Sequence, residues 1–458
     1  SCPGRSCIMI PPRRRGVCPS LAAPMPTGDG LLARITPTGA TIPLDSMAAL
    51  SAAARRHGNG IIEVTSRGSI QIRGLTAASA PAFAEAVTAI DLEMIDGVPV
   101  VVNPLAGLEA REAIDASALA AKLREAIRAA ELNGRLAPKV SITVDGGGAL
   151  HLDALAADVR LRAETEPNNP RIHLSLGGDA ASAMHIGVVS PSNAVEAAVR
   201  LLAVIAARGP AARARSVVKA EGLDPFSAAV ADLVTASPAA PARARSETIS
   251  AHPLRDGRIA LGIGLAFGHT GADTLERLIE AARRAQACGF RTAPDRALLV
   301  IGVAPERAGA LVGAAEELGF MTRAEDPRRS ITACPGAPFC ACTETPTRAL
   351  APSAAVAIAS MLDGSVSVHL SGCVKGCAHP GAALLTIVGG TNGCGIIVDG
   401  TAQAQPLVTM PVEALMPALA RLGRAVVAAC QPNERSAATL SRLGAAQIAS
   451  ILAERHDG

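Results

Sequence analysis

Residues 34–75 read RITPTGATIPLDSMAALSAAARRHGNGIIEVTSRGSIQIRGL, and residues 268–303 read GHTGADTLERLIEAARRAQACGFRTAPDRALLVIGV. Each stretch begins near Thr-Gly-Ala and continues through an amphipathic segment that ends near Ala-Arg-Arg. Each then passes a glycine into an apolar strand, a turn that contains an arginine, and a second apolar strand. This pattern predicts the same β-α-β unit twice. The shared order of turn, helix, strand and arginine favours duplication over a chance likeness between two alanine-rich helices.

Each repeat is followed by a longer stretch in which helical and strand patterns alternate. Residues 209–250 are rich in Ala, Arg, Pro and Ser, which is typical of a linker between two halves. The sequence therefore predicts a pseudo-twofold α/β protein built from two half-repeats.

The composition narrows the class of protein. The chain has 458 residues, 49% of them apolar, which is enough for two or three domains with their own cores. It has no apolar run long enough to predict a membrane span. A net charge of +3 and the absence of Trp and Tyr speak against nucleic-acid binding. The basic residues are nearly all arginine, which indicates either a composition bias or guanidinium forks for a carboxylate-rich ligand.

The cysteine pattern and the first residues predict a cytoplasmic location. Eleven cysteines in a chain of this size fit thiols or metal ligands better than a disulfide framework. The first residues carry a short apolar run before the basic residues, which is the reverse of a signal peptide.

Two cysteine pairs give the strongest chemical signal. They lie in ITACPGAPFCACTETP, residues 331–346, and HLSGCVKGCAHPG, residues 369–381. Thiolates suit both iron–sulfur clusters and zinc, but structural zinc usually uses Cys-x2-Cys knuckles, and neither pair has that spacing. We therefore predict a [4Fe-4S] cluster, with zinc or plain buried cysteines as the alternatives. The predicted ligands are Cys334, Cys340, Cys373 and Cys377.

The neighbours of these cysteines have predicted roles as well. Gly336, Gly372 and Gly376 allow the backbone to approach the sulfur atoms and to direct N–H groups at them. Cys342 lies two residues after Cys340, and we predict that it is a packed free thiol.

The paired motifs resemble those of the siroheme sulfite and nitrite reductases, and TSRGSIQIRG at 65–74 resembles their threonine–arginine strand. The resemblance covers about residues 25–450. It implies an α+β fold of the sulfite/nitrite reductase type, with ferredoxin-like half-repeats and two larger α/β domains in pseudo-twofold arrangement. It also implies a tetrapyrrole between the halves, with Cys377 bridging the cluster to a siroheme iron in the reductases. The predicted domains are a first half-repeat at 25–95, a first α/β domain with its linker at 96–245, a second half-repeat at 250–325, and the cluster domain at 326–458.

Within that superfamily the chain is most similar to the precorrin-3B synthases of aerobic cobalamin biosynthesis. The similarity rests on RRRGVCPSLAAPMPTGDGLLARI at 13–35, RRHGNGIIEVTSRGSIQIRGL at 55–75 and KVSITVDGGG at 139–148, with Met25–Gly30 the most telling run. It implies a monooxygenase that holds the cluster and a mononuclear non-haem iron. The implied reaction uses O2 to hydroxylate precorrin-3A at carbon 20 and closes a lactone. A siroheme-dependent sulfite or nitrite reductase is the alternative, and a non-catalytic protein with structural cysteines is a third possibility.

The pattern of cationic residues helps to distinguish a siroheme reductase from an enzyme that has a tetrapyrrole as its substrate. The reductases surround a small anion with several cations, and about half of that pattern is missing, because GVPVVV at 97–102 has no Arg and Ser141 follows Lys139. A tetrapyrrole would still need arginine forks for its acetate and propionate groups. The candidate substrate-binding residues are Arg34, Arg67, Arg73 and Lys139. For Arg34 and Arg73 a solvated strand end is the alternative.

The sequence gives little information on the ligands of the non-haem iron and on the electron donor. No facial triad with recognisable spacing predicts the iron ligands, and His369 and His379, which flank the second cysteine pair, fit hydrogen-bonding or packing roles better. The glycine-rich run at 262–271 does not match the dinucleotide fingerprint. Electrons are therefore expected from an external donor, a ferredoxin or an NAD(P)H-dependent reductase.

Overall fold

The computed structural model describes residues 19–164, 170–379, 381–391 and 393–454. The arginines at 13–15 quoted above therefore lie outside the described residues. The strands are β1 Met25–Thr27, β2 Gly30–Ile35, β3 Ile42–Pro43, β4 Ile61–Val64, β5 Ile70–Leu75, β6 Val100–Val102, β7 Ile142–Asp145, β8 Ala157–Glu164, β9 Arg171–Gly178, β10 Met184–Val189, β11 Ala251–Pro253, β12 Ile259–Gly264, β13 His269–Gly271, β14 Gly289–Ala293, β15 Ala297–Val303, β16 Ile331–Ala333, β17 Val368–Ser371, β18 Ala383–Gly390, β19 Gly393–Gly400 and β20 Val408–Met410.

The helices complete the element order. They are α1 Leu44–His57, α2 Ser79–Thr88, α3 Ala116–Ala129, α4 Ala194–Ala206, α5 Ala214–Glu221, α6 Asp224–Ala229, α7 Ala272–Arg284, α8 Ala308–Glu317, α9 Thr347–Ala357, α10 Val412–Ala429 and α11 Ser436–Ala453. Within the described part of the chain, no helix combines the length and apolar character that a bilayer crossing needs.

The chain divides into two compact units. The first comprises Thr38–Ala40, Met94–Ser246 and residues 19–23, and the second comprises Pro24–Pro37, Thr41–Glu93 and the chain from Glu247 onward. Both half-repeats therefore belong to the second unit, together with the cysteine region. The finer domain boundaries given above stay a prediction.

The predicted β-α-β repeat is confirmed within the second unit. One copy is β3, α1, β4 and β5, with Arg67 in the turn between the last two strands, and the other is β13, α7, β14 and β15, with Arg296 in the same place. The alternation of buried and less buried residues explains β4, in which Ile62 and Val64 face the core while Glu63 does not. Helices α1 and α7 pack against each other.

The two half-repeat sheets exchange edge strands. Their orders are β1-β2-β5-β4-β13 and β11-β12-β15-β14-β3. Strand β13 of the second repeat pairs with β4 of the first, where His269 lies opposite Glu63. Strand β3 of the first repeat pairs with β14 of the second, where Ile42 lies opposite Phe290. Each half therefore needs a strand from the other to complete its sheet.

The two larger sheets share one topology. In the first unit β6, β7 and β8 are parallel, and β9 and β10 continue the sheet antiparallel. In the second unit β16, β17 and β18 are parallel, and β19 and β20 continue it antiparallel. The duplication thus extends beyond the half-repeats, and the predicted fold class is confirmed.

The segment 209–250 differs from the linker that its composition indicated. It contains α5 and α6, which bury Val217 and Phe226 in the core of the first unit. The extended stretch after them is bound to the same unit, since Arg162 donates to the carbonyl of Pro241 at 2.7 Å. Alanine and arginine are good helix formers, so composition alone could not separate a connector from short packed helices.

Candidate functional site

The two cysteine loops follow neighbouring parallel strands of the second unit. Cys334 comes directly after β16, and Cys373 comes two residues after β17. Because the carboxyl ends of parallel strands meet at one edge of a sheet, the two loops converge there. The sheet therefore brings together the two cysteine pairs that lie far apart in the sequence.

The four predicted ligands lie within electrostatic reach of one another. Burial raises the pKa of Cys377, and the neighbouring thiols of Cys373 and Cys334 raise it further. Burial likewise raises the pKa of Cys340, with added contributions from Cys334 and Cys373. All four are free thiols. The raised pKa values of Cys340 and Cys377 favour the protonated thiols, and metal binding would release those protons.

The backbone around Cys334 is arranged for a charged sulfur. The Gly372 N–H donates to Cys334 Sγ at 3.1 Å, as predicted for the glycines of these loops. The Thr347 hydroxyl donates to the Cys334 carbonyl at 2.7 Å. Gly336 has a φ of +66°, and an added Cβ there would lie 2.2 Å from Thr347 Oγ1, so no larger residue fits.

Cys342 differs from the other cysteines of its loop. It is a free thiol but is exposed, so the prediction that it is packed is wrong. Its sulfur accepts a hydrogen bond from Lys375 Nζ at 3.2 Å.

The Met25–Gly30 run closes onto the first cysteine loop. Its two-residue turn between β1 and β2 contains Gly28, and an added Cβ there would lie 2.3 Å from the Ala341 nitrogen and 2.5 Å from Cys340 Cα. Only glycine permits this approach. The run that looked most telling in the sequence is therefore part of the wall that supports Cys340.

These residues fit an iron–sulfur cluster by their donor chemistry. Four free thiols converge, one sulfur already accepts a backbone N–H, and glycines stand where the backbone must come close. Among residues 19–164, 170–379, 381–391 and 393–454, no group of three or more His, Cys, Asp or Glu is arranged to hold a metal ion directly. The ligand set accordingly stays a prediction.

A cavity of about 270 Å³ adjoins the second cysteine loop within the second unit. Polar and charged side chains dominate its lining. Those that bear on its chemistry are Glu63, Gln71, Arg73, Arg296, Arg348 and Cys377. A larger groove of about 670 Å³ runs over α7 and α8 and is lined by several carboxylates but no cysteine, so it lies apart from the chemistry.

Arg73 is held by a buried carboxylate. Its Nε donates to Asp29 Oδ2 at 2.9 Å and its Nη2 to Asp29 Oδ1 at 2.7 Å, and both side chains are almost fully buried. Burial alone would raise the pKa of Asp29, but Arg73 lowers it below the usual value. The remaining nitrogen, Nη1, lies 3.6 Å from Glu63 Oε2. The fork of Arg73 is therefore already engaged.

Arg348 was not recognised from the sequence. It lies in the first turn of α9, eight residues after Cys340, and its side chain is only 8% exposed. Its Nη2 donates to Glu63 Oε1, while Nε and Nη1 have no hydrogen-bond partner in the part of the chain that the structure describes. Burial lowers its pKa, and the positive charge of Arg73 adds to that effect. Proximity to the cysteine pair along the chain was the one available signal.

The other predicted substrate residues are spread more widely. Arg34 is half-buried on β2 opposite Gln71, and with the Gln71 amide oriented to satisfy both neighbours it donates to the amide oxygen. Arg67 is exposed in the turn after β4, and Lys139 is exposed ahead of β7 in the first unit. Of the four candidates, Arg73 lines the cavity. Arg296, which occupies in the second repeat the position that Arg67 has in the first, lines it as well.

Two histidines near the site are neutral. His369 is fully buried on β17, its ring lies 5.7 Å from that of His379, and neither of its ring nitrogens has a hydrogen-bond partner among the described residues. Burial lowers its pKa to about 4. Burial and the nearby Arg348 lower the pKa of His269 to about 4. Neither ring carries charge at neutral pH, so the cationic character of the site comes from the arginines.

Comparison with known proteins connects this site to a family. Residues 23–90 match the nitrite/sulfite reductase ferredoxin-like half domain. A precorrin-3B synthase from Sinorhizobium sp is 38% identical over 438 residues, which cover 95% of this chain and 94% of that protein. The chain belongs to the precorrin-3B synthase family.

More distant relatives connect the precorrin-3B synthase family to the sulfite/nitrite reductase-like superfamily. A ferredoxin–nitrite reductase from Synechococcus elongatus is 24% identical over 78% of this chain and 76% of its own length. A sulfite reductase [ferredoxin] from Mycolicibacterium paratuberculosis is 26% identical over 41% of this chain and 37% of its own length. The NirA protein of Mycobacterium tuberculosis has the same fold, with a TM-score of 0.69, 17% identity, and coverage of 91% of this chain and 84% of that one.

Proposed function

We propose that the chain catalyses the reaction for which its family is named. Precorrin-3A is hydroxylated at carbon 20, and a lactone closes onto the ring-A acetate. One oxygen atom of O2 enters the product, and the other leaves as water at the expense of two electrons and two protons. The observation that carries this proposal is the 38% identity to a precorrin-3B synthase over nearly the whole of both chains.

In this proposal Cys334, Cys340, Cys373 and Cys377 hold a [4Fe-4S] cluster, which supplies one-electron transfer when bound. A mononuclear non-haem iron is the second proposed cofactor, and its ligands are not assigned. The Gly372 N–H stabilises the thiolate form of Cys334 through its 3.1 Å hydrogen bond. The enzyme is proposed to act in the cytoplasm with an external reductase or ferredoxin as electron donor.

The cationic cavity is the proposed seat of substrate carboxylates. The side chains of Arg73 and Arg348 are almost fully buried, so hydrogen bonds from this cavity to a carboxylate would be less screened than at the surface. Arg73 contributes charge and shape, while Asp29 fixes its orientation. The direct test is incubation with precorrin-3A, isotopically labelled O2 and a reductant, followed by mass measurement for one added labelled oxygen.

A siroheme-dependent reductase is the second candidate, because a nitrite reductase matches 78% of the chain. An absorption spectrum of anaerobically purified protein separates the two functions. Siroheme gives an intense Soret band with a red band, whereas a cluster alone gives a broad shoulder near about 400 nm. A stoichiometric siroheme signal would contradict the first proposal.

The ligand set is tested by a matched pair of cysteine variants. Cys373→Ser should lose nearly all bound iron and sulfide, because an alcohol cannot replace a thiolate on the cluster. Cys342→Ser, which removes an exposed sulfur from the same site, should keep both. Iron and acid-labile sulfide per chain are measured after anaerobic reconstitution. Equal contents in Cys373→Ser and the parent would refute the assignment.

A further inference from the structure

Arg348 carries hydrogen-bonding capacity that the described chain does not use. Its side chain is 8% exposed, and its Nε and Nη1 find no hydrogen-bond partner among the described residues, while its guanidinium carbon lies 5.9 Å from the centre of the Phe339 ring. A buried donor left unsatisfied costs free energy comparable to a lost hydrogen bond, and more when the group is charged. Such a group in a cavity wall therefore indicates a ligand or solvent that accepts from it.

Three guanidinium groups line the cavity, on Arg73, Arg296 and Arg348. Asp29 engages the fork of Arg73, and Glu63 accepts from Arg348. The charges of Asp295 and Glu63 also act on Arg296. An anion that enters the cavity therefore meets three cationic side chains.

Glu63 holds Arg348 in place and leaves two of its nitrogens as donors. Glu63 accepts from Arg348 Nη2 and lies 3.6 Å from Arg73 Nη1, so it is close to both guanidinium groups. Nε and Nη1 of Arg348 lie on different edges of the guanidinium, so a single carboxylate accepts from one of them and not from both as a fork. The charge and the fixed donor directions of arginine still favour an oxyanion over a neutral acceptor.

We propose that Arg348 and Arg296 form the receptor for one carboxylate in this cavity, with Glu63 as the residue that positions Arg348. The identity of that carboxylate as a side chain of the tetrapyrrole rests on the proposed function. Cys377 and Ala378 line the same cavity, so the bound carboxylate would fix the macrocycle beside the second cysteine loop. Arg73, whose fork is occupied by Asp29, supports the receptor without contacting the ligand.

The test uses uroporphyrin, a fluorescent macrocycle with many carboxylates, and the anaerobically reconstituted full chain. Arg348→Met should weaken uroporphyrin binding by about tenfold or more, because the loss of one buried charge-assisted partner is on that scale. Arg348→Lys should recover only part of the loss. Arg55→Met, which removes an exposed arginine from α1, should bind like the parent.

Two controls address misfolding of the variant and the chemical nature of the bound anion. Arg296→Met leaves the Arg348–Glu63 contact intact, so it tests the receptor even if Arg348→Met folds poorly. Sodium propionate should displace uroporphyrin from the parent, and this competition should be lost in Arg296→Met. Displacement by sodium sulfite but not by propionate would overturn the carboxylate assignment in favour of a small inorganic oxyanion.

The outcome does not depend on turnover. Parent-like uroporphyrin binding in Arg296→Met and in a folded Arg348→Met would remove both arginines from the site and overturn the proposal. If the protein binds uroporphyrin through these arginines but adds no oxygen to precorrin-3A, the proposed reaction fails while the receptor stands.

Discussion

At the scale of single residues, Gly28 shows how a short turn supports the cysteine site. The turn is fixed from one side by Asp29, which binds Arg73 and accepts from the Thr27 hydroxyl at 2.8 Å. On the other side Gly28 touches the backbone of Cys340 and Ala341. The turn therefore links the arginine network of the cavity to the first cysteine loop.

Replacing Gly28 with alanine should displace that loop. The added Cβ would meet backbone atoms at 2.3–2.5 Å, and backbone cannot move aside as cheaply as a flexible side chain. We expect a stability loss of about 1–3 kcal/mol, which is typical of overpacking, and less iron per chain. Thermal midpoints and iron content measure both effects.

The matched control is Gly313→Ala in α8, where an added Cβ meets open space. That variant should be neutral or slightly more stable, because alanine favours a helix by up to about 1 kcal/mol over glycine. If Gly28→Ala matches the parent in both measurements, the turn does not support the site.

At the scale of elements, the two duplicated sheets differ in how the loops after their parallel strands are held together. The loops after β6 and β7 in the first unit correspond in topology to the cysteine loops of the second. They are closed by hydrogen bonds: Asn103 Oδ1 accepts from the Gly146 N–H at 3.0 Å, and Glu112 accepts from Asn103 Nδ2 at 3.1 Å. Glu109 also accepts from the Ala149 N–H at 3.0 Å. In the first unit, side-chain hydrogen bonds therefore hold the two loops together, a role that a cluster bound to the four cysteines is proposed to have in the second unit.

Glu109 gives this comparison a pH-dependent test. Burial raises its pKa above the usual value, and Glu112 and Asp145 raise it further. Glu109 therefore binds its proton more tightly in the folded state than in the unfolded state, and the stability that this contributes is lost as the pH rises through the folded pKa. Glu109→Gln keeps an acceptor oxygen without the charge, so it should stabilise the protein at pH 7 by about 1 kcal/mol.

Below the unfolded pKa of about 4.5 the advantage should disappear, because the parent carboxyl is then protonated in both states. Denaturant unfolding at pH 7 and near pH 4 measures the difference. A Gln variant that is less stable than the parent at pH 7 would show that the carboxylate is needed ionised.

The elements that sequence reasoning missed share a physical cause. The repeated helices and longer strands were predicted because their periodicity is local. The exchanged strands β3 and β13 span two and three residues, too few for a period, and their partners are distant in the chain. Arg67 was chosen from its turn and stays a prediction, while its counterpart in the second repeat, Arg296, lines the cavity. Arg348 carries no spacing signal, since only the fold turns it toward Glu63.

At the scale of the whole molecule, Arg243 binds the end of the first unit to its sheet. Its Nη2 donates to Asp145 Oδ2 at 2.5 Å and to Asp153 Oδ1 at 2.6 Å. Burial alone would raise the pKa of Asp153, but Arg243 lowers it to about 2. This contribution to stability is present above the unfolded pKa of 3.8 and is lost as the pH falls toward about 2.

Arg243→Met should destabilise the first unit selectively. It removes the cation that bridges two buried carboxylates, although Arg162 remains 3.7 Å from Asp153. We expect a loss of roughly 2–4 kcal/mol, reduced by Arg162 and by the solvent contact of Arg243. Hydrogen exchange should rise in peptides from β7 and β8 and stay unchanged in peptides from β18 and β19.

Arg55→Met, which breaks only exposed ion pairs, is the control and should cost less than about 1 kcal/mol. Equal exchange changes in both units would contradict the separate stability of the two units.

The exchanged edge strands also set an order of events during synthesis. All strands of the first unit's sheet lie between residues 100 and 189, so that sheet can close as soon as this stretch has left the ribosome. The first half-repeat is made earlier but must wait, because residue 63 pairs with residue 269. The segment translated first is therefore expected to finish folding after the one that follows it, and its β4 edge stays open for the whole interval. An open strand edge invites pairing with other chains, so nascent chains halted before residue 269 should depend on chaperones more than chains released after it.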